Sequence, residues 1–164
     1  MIDIEIDALT NSIQDRLTGE IFETDVFEVT LDDIKTLKDW HFDWQKEFNQ
    51  FKVYKLVIRN EPTTIQGLIS LQVRKKFIYA SLMESASFKN KRFVGVAGNL
   101  IAFACKVSFE TNNDGFVNFI AKTALIEHYK LTLNATVIFG QNMMIETVSA
   151  LNLVKKYFND FKIK

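Results

Sequence analysis

At 164 residues, with 48% hydrophobic and 24% charged side chains, the chain is long enough for one domain with a sizeable core and too short for two. Lys plus Arg and Asp plus Glu number 20 each, so no excess charge draws it to a polyanion, and the expectation is no nucleic-acid partner and no membrane partner. Acids at Asp3, Glu5 and Asp7 stand where a signal peptide carries bases, and no apolar stretch approaches the ~20 residues of a membrane span, so a reducing cytoplasm is the simplest compartment.

From Ala8 to Thr18, Leu9, Ile13 and Leu17 recur at helical spacing and Gly19 follows as a stop, which predicts a short N-terminal helix. Ile21 to Thr30 alternates in the manner of a strand. Thr30 with Asp32 and Asp33 reads as a helix start, and the helical pattern runs to about Gln50 as one long helix or two short ones. Lys52 to Arg59, Thr63 to Val73 and Phe77 to Ala86 are rich in strand formers, with a hairpin turn at Asn60-Glu61-Pro62 between the first two. They predict an antiparallel meander. Asn99 to Glu110 is a helix apolar on most sides, and Cys105 lies inside its apolar run as a small buried hydrophobe. A turn at Asn112 to Gly115, a strand Phe116 to Ala121, a helix Thr123 to Lys130, strands Ala135 to Phe139 and Met143 to Glu146, and a helix Val148 to Phe158 complete the order. The expected fold class is α+β, a single domain whose mixed central sheet is flanked by helices.

The segment before the apolar helix carries the most chemistry. A helix N-terminus presents unpaired N–H groups and a partial positive charge. Gly95 and Gly98, with the small Ala97 between, let an anion approach that backbone, and Arg92 adds a charged donor. Gly-Lys-Ser/Thr is absent and the G-x-G-x-x-G spacing fails, so this is neither a P-loop nor a dinucleotide fingerprint. Lys89 and Lys91, flanking Asn90, read as a solvated loop that can assist phosphates.

Arg92-Phe93-Val94-Gly95-Val96-Ala97 resembles the pyrophosphate motif of the GNAT superfamily of acyl-CoA N-acyltransferases: Arg or Gln, two residues, Gly, one residue, then Gly or Ala. That family places the motif between its fourth strand and third helix, then adds a strand, a helix carrying a tyrosine and two more strands, the order predicted here. The resemblance covers Lys52 to Glu146 well and the N-terminal third only in the order of its elements. Lys122 replaces an Asn common in the family, while Tyr129 keeps the tyrosine.

The resemblance implies acetyl-CoA as cofactor, held by Glu84, Ser85, Ala86, Arg92, Phe93, Val94, Gly95, Val96, Ala97, Gly98 and Asn99, and a primary amine as acceptor. Backbone N–H groups around Glu84-Ser85-Ala86 are expected to hold the pantetheine arm and polarise the thioester carbonyl. Tyr129 suits the acid that protonates the departing thiolate; a buried aromatic with a satisfied hydroxyl is the equal alternative. Glu84 suits the base that takes the amine proton, against the reading of an exposed strand carboxylate. Trp40, Asp43 and Trp44 fall in the region that lines the acceptor site in the family; Trp40 and Trp44 share a face at helical spacing, which equally describes a core aromatic pair. His41 and His128 have no ligand-spaced partners, so no metal is expected. An acetyltransferase able to form a homodimer is the leading expectation. A non-catalytic coenzyme A-binding sensor or protein-interaction module on the same fold, and an unrelated α+β interaction domain, are the alternatives.

Overall fold

The computed structural model of the chain describes residues 12–86 and 92–158. It opens on β1 (Ser12–Asp15) and β2 (Ile21–Glu28), paired antiparallel with Ile13 opposite Phe22. The helix expected over Ala8 to Thr18 is replaced here by β1; its portion before Ser12 lies outside the described residues. Leu17, one of its three apolar markers, is 92% exposed, whereas Ile13 is fully buried. A single inward side chain serves a short strand, and the helical spacing was coincidental.

The pattern from Thr30 to Gln50 forms two short helices, α1 (Leu31–Thr36) and α2 (Trp44–Gln50). Thr30 and Asp33 bond each other's backbone N–H in a capping box, and Asp43 caps α2 by accepting from Lys46 N. Between them Asp39 takes a left-handed conformation, φ 63°, which no continuous helix accommodates. Trp40 therefore stands in a loop, not on a helical face with Trp44.

β3 (Lys52–Ile58), β4 (Glu61–Arg74) and β5 (Phe77–Ser85) form the expected antiparallel meander. The first turn is tighter than predicted, since β4 already begins at Glu61 and takes in Pro62 near its exposed start, a strand position where a missing N–H is tolerated. β6 (Phe93–Val94) pairs with β1, and α3 (Val96–Glu110) follows with Gly95 as its N-cap. Then come β7 (Val117–Ile120), a 3-10 turn (Thr123–Leu125), α4 (Ile126–Thr132), β8 (Thr136–Phe139), β9 (Asn142–Ile145) and α5 (Thr147–Tyr157).

The sheet order is β6-β1-β2-β3-β4-β5-β7-β9-β8, and among the described strands only β5 and β7 run parallel. α3 is the crossover between them, as a parallel neighbour requires. One face carries the main core: Leu100, Ile101, Ala104 and Cys105 of α3 and Ala150 and Val154 of α5, with Ile69, Ile78, Val117 and Ile145 of the sheet. The other face carries a smaller cluster of Val29, Ile34, Trp44, Val53 and Leu68 under α1 and α2. The first turn of α3 sits close on β4 at Gly67, where a Cβ would meet Val96 Cγ1 at 2.5 Å. Among the described residues no helix is long and apolar enough to cross a membrane.

Candidate active site

β5 and β7 pair over three residues, Ile78 to Ala80 against Val117 to Phe119, and then part. A cavity of about 630 Å³ occupies the gap. Ala80 to Ser85 form one wall; Phe119 to Lys122, Leu125 and Tyr129 form the other. Its floor is the start of α3, Gly95 to Ala97 with Leu100 and Ile101, and Arg16, His41 and Phe42 stand at its rim.

The floor is built for close backbone approach. Gly95 has φ 106°, a left-handed conformation that side chains disfavour. Among the described residues no side chain caps α3, and no acid lies in its first turn, so the N–H groups of Val96, Ala97 and Gly98 present the positive end of the helix. Asn99 anchors this turn from behind, its buried amide donating to Ser12 O at 2.8 Å and Gly95 O at 2.7 Å.

On the β5 wall, backbone direction matters. Ala86 N donates to Gln66 O at 3.0 Å, and Leu82 N points the same way, to Ser70 Oγ at 3.0 Å. N–H groups alternate along a strand, so those of Met83 and Ser85 face away from β4, into the gap. A register shift between Ser70 and Leu71 leaves Ser81 as the extra residue of a β-bulge, and it sets this alternation at the cavity.

Glu84 differs from both sequence readings. It is 6% exposed, and its carboxylate accepts from His41 N at 2.7 Å, Phe42 N at 3.1 Å and Trp44 Nε1 at 2.9 Å. Three of its roughly four acceptor positions are therefore spent on holding the loop before α2 against β5, which makes it a clamp before it is anything else. The expected substrate wall is likewise corrected. Trp44 is 2% exposed and part of the smaller core, Trp40 packs against that core, and Asp43 is a helix cap. None of the three lines the cavity; His41 and Phe42, between them in sequence, do.

Of the expected cofactor residues, Glu84, Ser85, Phe93, Gly95, Val96 and Ala97 reach the cavity wall. Ala86, Arg92, Val94, Gly98 and Asn99 do not: the Ala86 N–H is taken, Val94 and Asn99 are buried, and Gly98 is inside α3. Arg92 Nε pairs with Asp15 Oδ2 at 3.2 Å, and its guanidinium lies over the Phe93 ring. Among the described residues, the Lys and Arg side chains on the cavity are those of Arg16 and Lys122. Arg16 was missed because its segment read as a helix; it reaches the rim because Arg16 N pairs with Arg92 O at the end of β1. Lys89 and Lys91 lie outside the described residues.

Tyr129 stands on the wall opposite β5, its ring edge-on to Phe119 at 5.5 Å. Burial raises its pKa above the ordinary 10.0, which keeps the phenol protonated and able to donate. Burial also pushes the Cys105 thiol up, so it is inert at neutral pH.

Neither a family model nor a curated protein matches the sequence. Solved structures do match the fold. The AtaTR complex bound with acetyl-CoA superposes with a TM-score of 0.56 at 13% identity, covering 79% of this chain and 97% of that one. The KacTA–DNA complex gives 0.57 at 13% over 80% and 98%, and AtaT complexed with acetyl-methionyl-tRNAfMet gives 0.52 at 12% over 80% and 99%. The chain thus has a GNAT-like fold, a single mixed sheet flanked by helices. The exclusion of nucleic acid is overturned by the same finding, since assemblies of this fold hold DNA and tRNA. A net charge of zero is a sum over the whole surface and does not speak for any one face of it.

Proposed function

We propose that the chain is an acetyl-CoA-dependent N-acetyltransferase. The observation that carries this is the parting of β5 from β7 directly above the uncapped start of α3. Acetyl-CoA supplies an activated acetyl thioester. Its diphosphate suits the N–H groups after Gly95, where Arg16 and Lys122 add positive charge from the two sides of the cavity. The N–H groups of Met83 and Ser85 point toward the gap, where they stabilise negative charge on an acyl oxygen. Tyr129, which lines the cavity and whose proton is held by burial, returns a proton to the leaving sulfur in this reading.

The acceptor is a primary amine, and the AtaT assembly with acetyl-methionyl-tRNAfMet brings aminoacyl-tRNA into the acceptor screen beside small amines. The first test is calorimetry of acetyl-CoA with the native chain and with Gly95→Glu. Micromolar binding that falls by about tenfold or more in the variant supports the reading; no binding by the folded native chain overturns it. Turnover is then read with Tyr129→Phe, which should keep acetyl-CoA affinity and lose about a hundredfold in rate. Full turnover in that variant removes Tyr129 from the chemistry.

A further inference from the structure

The smaller core contains polar groups that packing alone does not require. Ser70 of β4 is fully buried and Glu47 of α2 is 8% exposed, and the two meet where α2 lies over the sheet. Replacing such a pair by apolar groups of similar shape is generally neutral or stabilising. Here the two form a chain: Leu82 N donates to Ser70 Oγ at 3.0 Å, and Ser70 Oγ donates to Glu47 Oε2 at 2.6 Å. The carboxylate orients the hydroxyl so that its lone pair faces the strand, and each bond polarises the next.

The chain ends at the β-bulge that sets the direction of the cavity-facing N–H groups. Met83 is bracketed. On one side Leu82 is tied through Ser70 to Glu47 of α2; on the other Glu84 is tied to Trp44 Nε1 of the same helix. We infer that Glu47 and Ser70 are positioning residues that aim the Met83 N–H at an acyl carbonyl in the cleft. This rests on the acetyl-CoA reading. Without the Ser70 hydroxyl, the Leu82 N–H and the Glu47 carboxylate are left to find partners inside a packed core, and the strand shifts to satisfy them. The N–H at residue 83 then turns away from the gap while α3, which holds the diphosphate, stays in place.

The experiment is the carbonyl 13C chemical shift of acetyl-CoA labelled at C1 of the acetyl group, bound to the full native chain, to Ser70→Ala and to Glu47→Gln. A hydrogen bond to the carbonyl moves the signal downfield in the native complex. The expected result is loss of most of that displacement in Ser70→Ala and part of it in Glu47→Gln, with acetyl-CoA affinity within about threefold of native, as diphosphate contacts dominate binding. Glu47→Gln keeps the shape and an acceptor for the hydroxyl, so it reports even if Ser70→Ala does not fold. An identical carbonyl signal in native and Glu47→Gln complexes overturns the inference and leaves the acetyl-CoA reading standing. Absence of binding by the native chain overturns both.

Discussion

The two faces of the sheet are held by different means. Under α3 and α5, Ile69, Ile78, Leu100, Val117, Ile145 and Val154 interlock with almost no exposure. Under α1 and α2 a few apolar residues share the interior with two carboxylates, Glu47 and Glu84, each bonded to groups on another element. Apolar packing is non-directional and sets how firmly the sheet is covered, whereas hydrogen bonds from a carboxylate fix one geometry. The first face accounts for stability; the second sets the aim of the cavity wall.

The largest expected effect comes from the apolar face. Ile145→Ala opens a cavity at a fully buried position in β9, away from the cleft, and should destabilise the chain by about 3 kcal/mol in urea unfolding. Acetyl-CoA affinity of the molecules that remain folded should be native. An affinity loss matching the stability loss would mean that the two faces are not separable.

Glu84→Ala is the counterpart on the other face. It leaves three N–H donors, one buried and two partly buried, without their acceptor, a loss of about 2 kcal/mol. Its signature differs in kind: amide exchange at His41 and Phe42 should speed up by more than that of β3 or α3, because the loop before α2 detaches first. Uniform acceleration across the chain would assign Glu84 to general stability.

Gly67→Ala joins the two faces. The new Cβ meets Val96 Cγ1 at 2.5 Å and Leu100 Cδ1 at 3.1 Å, so α3 has to lift from β4, at about 1–2 kcal/mol. Since that lift moves the N–H groups after Gly95, acetyl-CoA affinity should fall more than stability does. Unchanged affinity would show that the cradle tolerates displacement.

The elements that were legible from sequence are those whose signal is local. The meander announces itself in strand-forming runs, and α3 in an apolar run after a glycine pair, so the cleft's floor and one wall could be placed. What was not legible depends on pairing across distance. β1, described over Ser12–Asp15, offers too few residues for alternation to stand out, and its partners include Val94. Arg16 reaches the cavity through that pairing. Glu84 looked like an exposed strand end because nothing local reveals that the N–H groups of His41 and Phe42 converge on it. Ser70 and Glu47 were silent for the same reason: a serine in a strand and a glutamate in a helix become a pair only once α2 is laid over β4.

The smallest expected effect lies at the edge where β1 meets β6. Asp15 accepts from Leu17 N at 2.8 Å and Thr18 N at 3.2 Å, and pairs with Arg92. The Leu17 N–H, then that of Thr18 and the Arg92 guanidinium, outweigh burial and hold the carboxyl below its ordinary value of 3.8. A carboxylate depressed in the folded state stabilises the fold above its unfolded pKa, and that contribution fades as pH falls through the folded value. Asp15→Asn should therefore melt below the native chain at neutral pH, and the gap should narrow as pH drops below 3.8. Because the Arg92 side chain is 62% exposed, salt should weaken the ion-pair part of the difference. A gap that persists unchanged through the acid range would place the role of Asp15 in the shape of its turn, with its charge contributing nothing.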